Sequence, residues 1–241
     1  MARRIFIFMG PPGAGKGTLA RLCTQNLGWE QCSTGDLCRR MITEGTEIGK
    51  QIDALIKSGK LISDSLILEM VDHWLSRRVG TSQFEGRKSQ GGQFSGDFQS
   101  SIILDGVPRT LEQAQQLDEV LEQTRFAEFE LSVVELKLDD ASVVQRLTSR
   151  VMCGNKECSA IFSLAHGQVL TSCKECDAPL VRRADDVEEV IRERLACYYA
   201  KAMPLVQYYR QTQRPVQALD VAKPIHEVYE EFVTLAGVKT S

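Results

Sequence analysis

Gly10-Pro11-Pro12-Gly13-Ala14-Gly15-Lys16-Gly17-Thr18 lies between an apolar run, Ile5-Phe6-Ile7-Phe8-Met9, and a helix-like segment at residues 19–27. Strand, glycine-rich turn, lysine, hydroxyl residue and helix, in that order, make the layout of a phosphate-cradling P-loop. Each part has a physical reason. Glycines let several backbone N–H groups point inward at phosphate oxygens, and the helix N-terminus adds partial positive charge. Lys16 supplies a mobile full charge for the outer phosphates. A bare glycine turn often does no more than link a strand to a helix, but here the lysine and the preceding strand are both present. One departure stands out: the common pattern has Ser or Thr directly after Lys, whereas Gly17 intervenes before Thr18.

At 241 residues and 43% hydrophobic content, the chain can bury a large core in one domain plus an insertion. A formal net charge of −3 exerts no global pull towards nucleic acid or an anionic membrane, and neither is expected as a partner. No apolar run reaches the ~18 residues of a bilayer span. Residues 5–9 are too few for the ~7–15 apolar residues of a secretory signal, and they run straight into the glycine loop. The expectation is a cytoplasmic α/β enzyme, with its eight cysteines reduced or metal-bound rather than in disulfides.

Short apolar runs at residues 5–9, 102–104, 133–138 and 216–219 read as buried strands, separated by long amphipathic stretches. That alternation predicts a parallel sheet flanked by helices on both faces. Its ligand is expected beyond the carboxyl ends of the strands. Two segments break the pattern. Residues 81–100 are rich in Gly, Ser and Gln and read as a flexible surface insertion. Residues 152–180 carry four of the cysteines.

Three further features carry chemistry. Ser33-Thr34-Gly35-Asp36-Leu37-Cys38-Arg39 reads blandly as a helix N-cap followed by a solvated arginine. Asp105-Gly106-Val107-Pro108-Arg109-Thr110 follows a strand. There Asp105 is placed to organise hydrated Mg²⁺ and Arg109 to fork onto phosphate, unless the segment is only a tight turn with Thr110 capping the next helix. Last come Arg146 and Arg150, four apart on one helical face, then Arg183 and Arg194.

As a set, these motifs resemble the adenylate kinase family, over essentially the whole chain outside residues 81–100. The matching elements are the Lys-Gly-Thr ending of the loop, Ser-Thr-Gly-Asp-Leu-x-Arg, Asp-Gly-x-Pro-Arg-Thr and Arg183-Ala184-Asp185-Asp186. The family also writes Gly between the loop Lys and Thr. The resemblance implies a P-loop kinase that transfers a phosphoryl group reversibly from Mg·ATP to AMP, giving two ADP. It divides the chain into core at residues 1–33, a helical AMP-binding flap at 34–68, core at 69–150 with the insertion at 81–100, a lid at 151–182, and core at 183–241. A monomer is expected on the same grounds.

By the same resemblance, Gly13, Ala14, Gly15, Lys16, Gly17 and Thr18 hold the ATP phosphates. Arg146 and Arg150 reach the ATP side, Ile161 and Phe162 lie over its base, and the Lys223 backbone touches its adenine. Thr34, Arg39, Lys60, Leu61, Ile62, Gly106, Val107, Pro108, Arg109 and Gln113 hold AMP. Gln113 suits base reading, because an amide faces an adenine edge with both a donor and an acceptor. Arg183 and Arg194 bind across the transferring phosphoryl and the AMP phosphate. Lys16, Arg109 and these four arginines form the catalytic set. Phosphoryl transfer needs positioning and charge neutralisation, and the acceptor oxygen is already anionic. No general base is therefore expected, and His73, His166 and His226 read as surface or packing residues. A lid must also exclude water.

Cys153 and Cys158 enclose four residues, Cys173 and Cys176 enclose two, and fourteen separate the pairs. Four thiolates at these spacings suit a closed tetrahedral structural zinc site. Two disulfides are one alternative, which an intracellular chain disfavours, and four unlinked thiols are another. Cys23, Cys32, Cys38 and Cys197 read as small buried residues. The competing readings are a kinase for another nucleoside monophosphate, taking CMP or UMP as acceptor or GTP as donor, and a non-enzymatic P-loop nucleotide switch. A zinc-containing nucleic-acid module is weaker still, because the cysteine segment balances Lys156 and Lys174 against Glu157, Glu175 and Asp177.

Overall fold

The structure is a computed structural model, and it describes residues 3–57, 62–79, 100–122, 126, 129–155, 158, 160–164, 169–183, 185–212, 214 and 216–238. Most of the 81–100 insertion, Lys60, Leu61 and His166 lie outside the described residues. In chain order the elements are β1 (Arg3–Met9), α1 (Lys16–Leu27), β2 (Glu30–Ser33), α2 (Thr34–Thr43), α3 (Glu47–Lys57), α4 (Asp64–Val79), β3 (Ile102–Asp105) and α5 (Leu111–Leu121). There follow β4 (Phe129–Lys137), α6 (Asp140–Thr148), β5 (Arg150–Cys153), β6 (Ile161–Ser163), β7 (Leu180–Val181), α7 (Glu188–Gln211), β8 (Val216–Asp220) and α8 (Ile225–Leu235).

The central sheet runs β2-β3-β1-β4-β8. All four strands expected from apolar runs are in it. The fifth, β2, reads Glu-Gln-Cys-Ser and has no apolar run to announce it. It lies at the sheet edge, where one ladder and one buried side chain, Cys32, suffice to hold it. β3 pairs in parallel with both β1 and β2, Phe8 and Ser33 each facing Asp105, so the three strands end level. Parallel strands need crossover connections, and helices supply them.

The chain divides into two compact units. The first comprises Met1–Met9, Ala20–Val134 and Pro204–Gln217, and the second Gly10–Leu19, Glu135–Met203 and Ala218–Ser241. The first unit's core gathers Ile5, Ile7, Ile102, Leu104, Leu117, Val133 and Tyr209, all essentially inaccessible. A separate small cluster, Cys38, Ile52 and Met70, joins α2, α3 and α4. In the second unit, β6-β5-β7 form a small antiparallel sheet around Cys153, Ala160 and Cys173. Among the described residues no helix is long and apolar enough to cross a membrane.

Candidate functional site

The second unit holds the glycine loop. β1 hands over at Gly10, whose φ of +146° is a conformation that L side chains rarely adopt; a Cβ there would sit 2.6 Å from the Leu136 carbonyl oxygen. The turn needs glycine. Lys16 opens α1, so the helix N-terminus with its unsatisfied N–H groups faces the loop, as phosphate binding requires. The Lys16 ammonium donates to the carbonyl oxygens of Gly10 and Pro11, 2.8 Å each. Those bonds hold a full positive charge against the loop.

Three of the four arginines expected here, Arg146, Arg150 and Arg194, are held by carboxylates or carbonyls. Arg146, half-buried near the end of α6, donates to the Val221 carbonyl at 2.6 Å. Burial pulls its guanidinium below the ordinary value, with Asp139 and Asp220 opposing. Arg150 forks onto Asp186 with bonds of 2.7 and 2.5 Å, and both side chains are largely buried. Arg194 pairs with Asp185 at 2.8 Å and approaches Asp186 at 3.8 Å. Arg183 donates to the Met152 sulfur. Asp185 and Asp186 were legible only as part of a motif; their role as anchors for Arg150 and Arg194 depends on contacts 36 and 9 residues apart in the chain. Of the remaining residues expected on this side, Ile161 is exposed and Phe162 half-buried on β6, and Lys223 pairs with Glu231 at 2.8 Å.

The first unit holds the other motifs. Ser33 is the N-cap of α2, its side chain accepting from the Asp36 N–H, and Thr110 is the N-cap of α5, accepting from the Gln113 N–H. Both bland readings are therefore correct as far as they go, and the two segments also meet. Thr34, buried, donates to the Gly106 carbonyl at 3.1 Å, and Arg109 Nε donates to the same oxygen at 2.8 Å. Gly106 has φ +85°, and a Cβ would lie 2.8 Å from both Thr34 Oγ1 and Arg109 Nη2. Arg39 pairs with Asp36 on the exposed face of α2. Val107 and Pro108 are buried, joined by a cis peptide bond, and Ile62 packs against the Cys38 cluster. At the carboxyl end of β3, half-buried Asp105 accepts from Gln31 Nε2 at 3.3 Å.

Gln113 is only 4% exposed, so it is no surface residue. Its Oε1 accepts from the Arg109 N–H and its Nε2 donates to Asp64 Oδ1, both at 2.7 Å. Thr110 Oγ1 donates to the other Asp64 oxygen at 2.6 Å. Asp64 has no counterpart in the sequence reading, because nothing local links it to residues 46 and 49 positions later.

The four expected metal cysteines come together. Their sulfurs all lie within 4.8 Å of one another, and all four thiols are free. Cys153 and Cys176 are 3.4 Å apart, and Cys158 and Cys173 are 3.7 Å apart. A tetrahedron with Zn–S arms of about 2.3 Å has edges near 3.8 Å, so the donor set fits zinc. Burial pushes the Cys153 thiol up to about 12, while the Ala178 N–H and Cys153 pull Cys176 down to about 7. Of the other cysteines, Cys23, Cys32 and Cys38 are buried as expected, but Cys197 is exposed. It lies on a solvent-facing stretch of α7, where a long helix leaves one side uncovered. His73 and His226 are exposed.

The family model for adenylate kinases matches residues 8–85 and 93–214, skipping a short part of the expected insertion. An adenylate kinase of Fervidobacterium nodosum is 33% identical over 233 residues, 96% of each chain. One of Archaeoglobus fulgidus is 34% identical over 228 residues, 94% of each chain. This chain belongs to the adenylate kinase family. A third relative, the adenylate kinase of Thermosipho africanus, is 34% identical over 92% of this chain and 96% of its own. The matched residues take in the glycine loop, both motifs of the first unit, the four cysteines and all four arginines. The family is one of P-loop kinases, and the largely parallel sheet flanked by helices is the architecture expected of it.

Proposed function

We propose that this kinase transfers a phosphoryl group reversibly from Mg·ATP to AMP, giving two ADP, and so balances adenine nucleotides. The observation that carries the reading is the glycine loop with Lys16 at the start of α1, in a chain that matches adenylate kinases along nearly its full length. The backbone N–H groups of Gly13 to Thr18 and the Lys16 ammonium hold the donor's phosphates. Arg146 and Arg150 neutralise the donor side, with Ile161 and Phe162 over its base and the Lys223 backbone against its adenine. Thr34, Arg39, the 60–62 turn, Gly106 to Pro108 and Gln113 hold AMP, and Arg109 forks onto its phosphate. Arg183 and Arg194 steady the group in flight.

The transition state spreads negative charge over the transferring group and the oxygens on both sides of it. Guanidinium groups held in place by Asp185, Asp186 and the Val221 carbonyl meet that charge without reorganising, which is where such sites gain most of their rate. Asp105, through water, would hold Mg²⁺, whose charge offsets that of the donor's phosphates when bound. Residues 34–68 act as the flap over AMP and residues 151–182 as the lid. Structural zinc on Cys153, Cys158, Cys173 and Cys176 gives the lid a core that its few apolar residues do not. The protein works as a monomer in the cytoplasm, without nucleic acid or membrane.

The test is ion-exchange separation of products after mixing the protein with Mg·ATP and equimolar AMP, CMP, UMP and GMP. ADP formation that requires AMP is expected. Preferred use of CMP or UMP would move the acceptor to another nucleotide, and ATP hydrolysis without any acceptor would overturn the kinase reading.

A further inference from the structure

The bonding around Gln113 has a direction built into it. An amide and its flipped form differ only in which end donates and which accepts, so partners decide the orientation. A backbone N–H can only donate, and the one from Arg109 fixes Oε1 on its side at 2.7 Å. A carboxylate can only accept, and Asp64 Oδ1 fixes Nε2 on the other side, also at 2.7 Å. Asp64 is itself pinned, since Thr110 Oγ1 donates to its second oxygen at 2.6 Å and its backbone opens α4. Flipping Gln113 would set its NH₂ against an N–H and its oxygen against a carboxylate. At 4% exposure, water is not at hand to relieve either clash.

We infer that Asp64 is a specificity-determining positioning residue: it locks the Gln113 amide in the orientation that accepts a 6-aminopurine nucleotide and refuses a 6-oxopurine one. The inference rests on the reading of Gln113 as the residue that meets the acceptor base. Two bonding positions on the amide are taken internally, which leaves one lone pair on Oε1 and one N–H on Nε2. An adenine edge offers an exocyclic amine that donates and a neighbouring ring nitrogen that accepts, the complement of that pair. A hypoxanthine or guanine edge offers a carbonyl that accepts beside a ring N–H that donates. It would pair only with the flipped amide, and Asp64 and the Arg109 N–H together forbid the flip. A site built this way rejects the wrong base through groups left unpaired, not through size.

The experiment compares kcat/KM for AMP and for inosine monophosphate, with Mg·ATP as donor, in the wild type, Asp64→Asn, Gln113→Ala and Thr110→Ala. The Asp64→Asn substitution keeps the shape of the side chain but gives it an NH₂ able to face a flipped Gln113 oxygen, so that only the Arg109 N–H still opposes the flip. The AMP preference of Asp64→Asn should therefore fall by about tenfold, the worth of one lost discriminating hydrogen bond, chiefly through KM. Thr110→Ala loses a helix cap and melts lower, yet keeps the Asp64–Gln113 bond and should keep the preference. An unchanged preference in Asp64→Asn, alongside a lost preference in Gln113→Ala, overturns the lock and leaves base reading intact. If Gln113→Ala also keeps the wild-type preference, base reading fails and the inference fails with it. An equal loss of preference in Thr110→Ala would reduce Asp64 to a structural support and overturn the inference too. Should Asp64→Asn not fold, Asp64→Ser, which also removes the acceptor-only partner, is read against the same outcomes.

Discussion

Lys16 and Gly10 show how differently two residues of one loop can be read. Lys16 stands out in the sequence because a lysine after a glycine turn and before a helix has little other use. The structure adds that its ammonium bonds the carbonyls of Gly10 and Pro11, so it is already positioned when a phosphate arrives. Lys16→Ala should lower kcat by about 10²–10³-fold, as for loss of one transition-state contact, with the fold retained and the melting temperature only slightly lowered by the loss of two loop carbonyl bonds. Steady-state rates beside a thermal melt check both halves. Gly10 matters for a reason that only its surroundings reveal, the 2.6 Å approach of a would-be Cβ to Leu136. Gly10→Ala should cost about 1–3 kcal/mol of stability in urea unfolding. Asp118 was not legible as a titrating group at all. It is buried on α5, where burial raises its carboxyl above the usual 3.8 against the opposing pull of the Tyr208 hydroxyl and Arg214. An acid raised in the folded state takes up its proton sooner there than in the unfolded chain, so its contribution is complete below 3.8 and fades as pH climbs through the raised value. The stability of wild type relative to Asp118→Asn should accordingly shrink as pH rises from 3.8, measured by urea unfolding at stepped pH.

Elements were legible in proportion to how much apolar surface each buries in an unbroken run. β1, β3, β4 and β8 announce themselves; β2 does not, because an edge strand with one buried side chain can be written in polar letters. The small sheet β6-β5-β7 was missed for a related reason. Its strands are four, three and two residues long, too short for any periodicity to register, and its core is made largely of cysteines. Spacing alone revealed those cysteines. If zinc holds this sheet, a strong chelator should raise amide exchange throughout residues 150–181 while the central sheet stays protected, and Cys153→Ser should lower the bound metal. Unchanged exchange on metal removal would mean the sheet stands without it. The start of β5 has a second anchor, the Arg150–Asp186 fork, with side chains 13% and 4% exposed. Removing one partner from a pair this buried leaves the other charge stranded. Asp186→Ala should cost about 3 kcal/mol, read from denaturant midpoints.

At the scale of the whole molecule, the two units sort most of the expected residues by substrate. The exceptions are Arg183 and Arg194, expected to reach the AMP phosphate yet in the second unit, and Asp105, expected to hold the donor's Mg²⁺ yet in the first. Gly13 to Thr18, Arg146, Arg150, Ile161, Phe162 and Lys223 fall in the second unit, and Thr34, Arg39, Ile62, Gly106 to Arg109 and Gln113 fall in the first. The chain passes from one unit to the other several times, so sequence neighbours are poor guides: the glycine loop and the end of β1 belong to different units. Long-range partners decide the rest, as Val221 does for Arg146 and Asp64 for Gln113. This partition makes a kinetic prediction. A side chain that binds one substrate in both ground and transition states changes the KM of that substrate and little else. Arg39→Ala, in the first unit, should raise the KM for AMP about tenfold and leave that for ATP within about twofold of wild type. Arg146→Ala, in the second, should raise the KM for ATP and leave that for AMP within about twofold, and should lower kcat and stability as well, since its guanidinium also meets the transition-state charge and bonds the Val221 carbonyl. Initial rates over a grid of both nucleotides separate the two constants. If each variant raised both KM values equally, the two units would not divide the substrates between them, and the assignment of Arg39 to the acceptor and Arg146 to the donor would have to be abandoned.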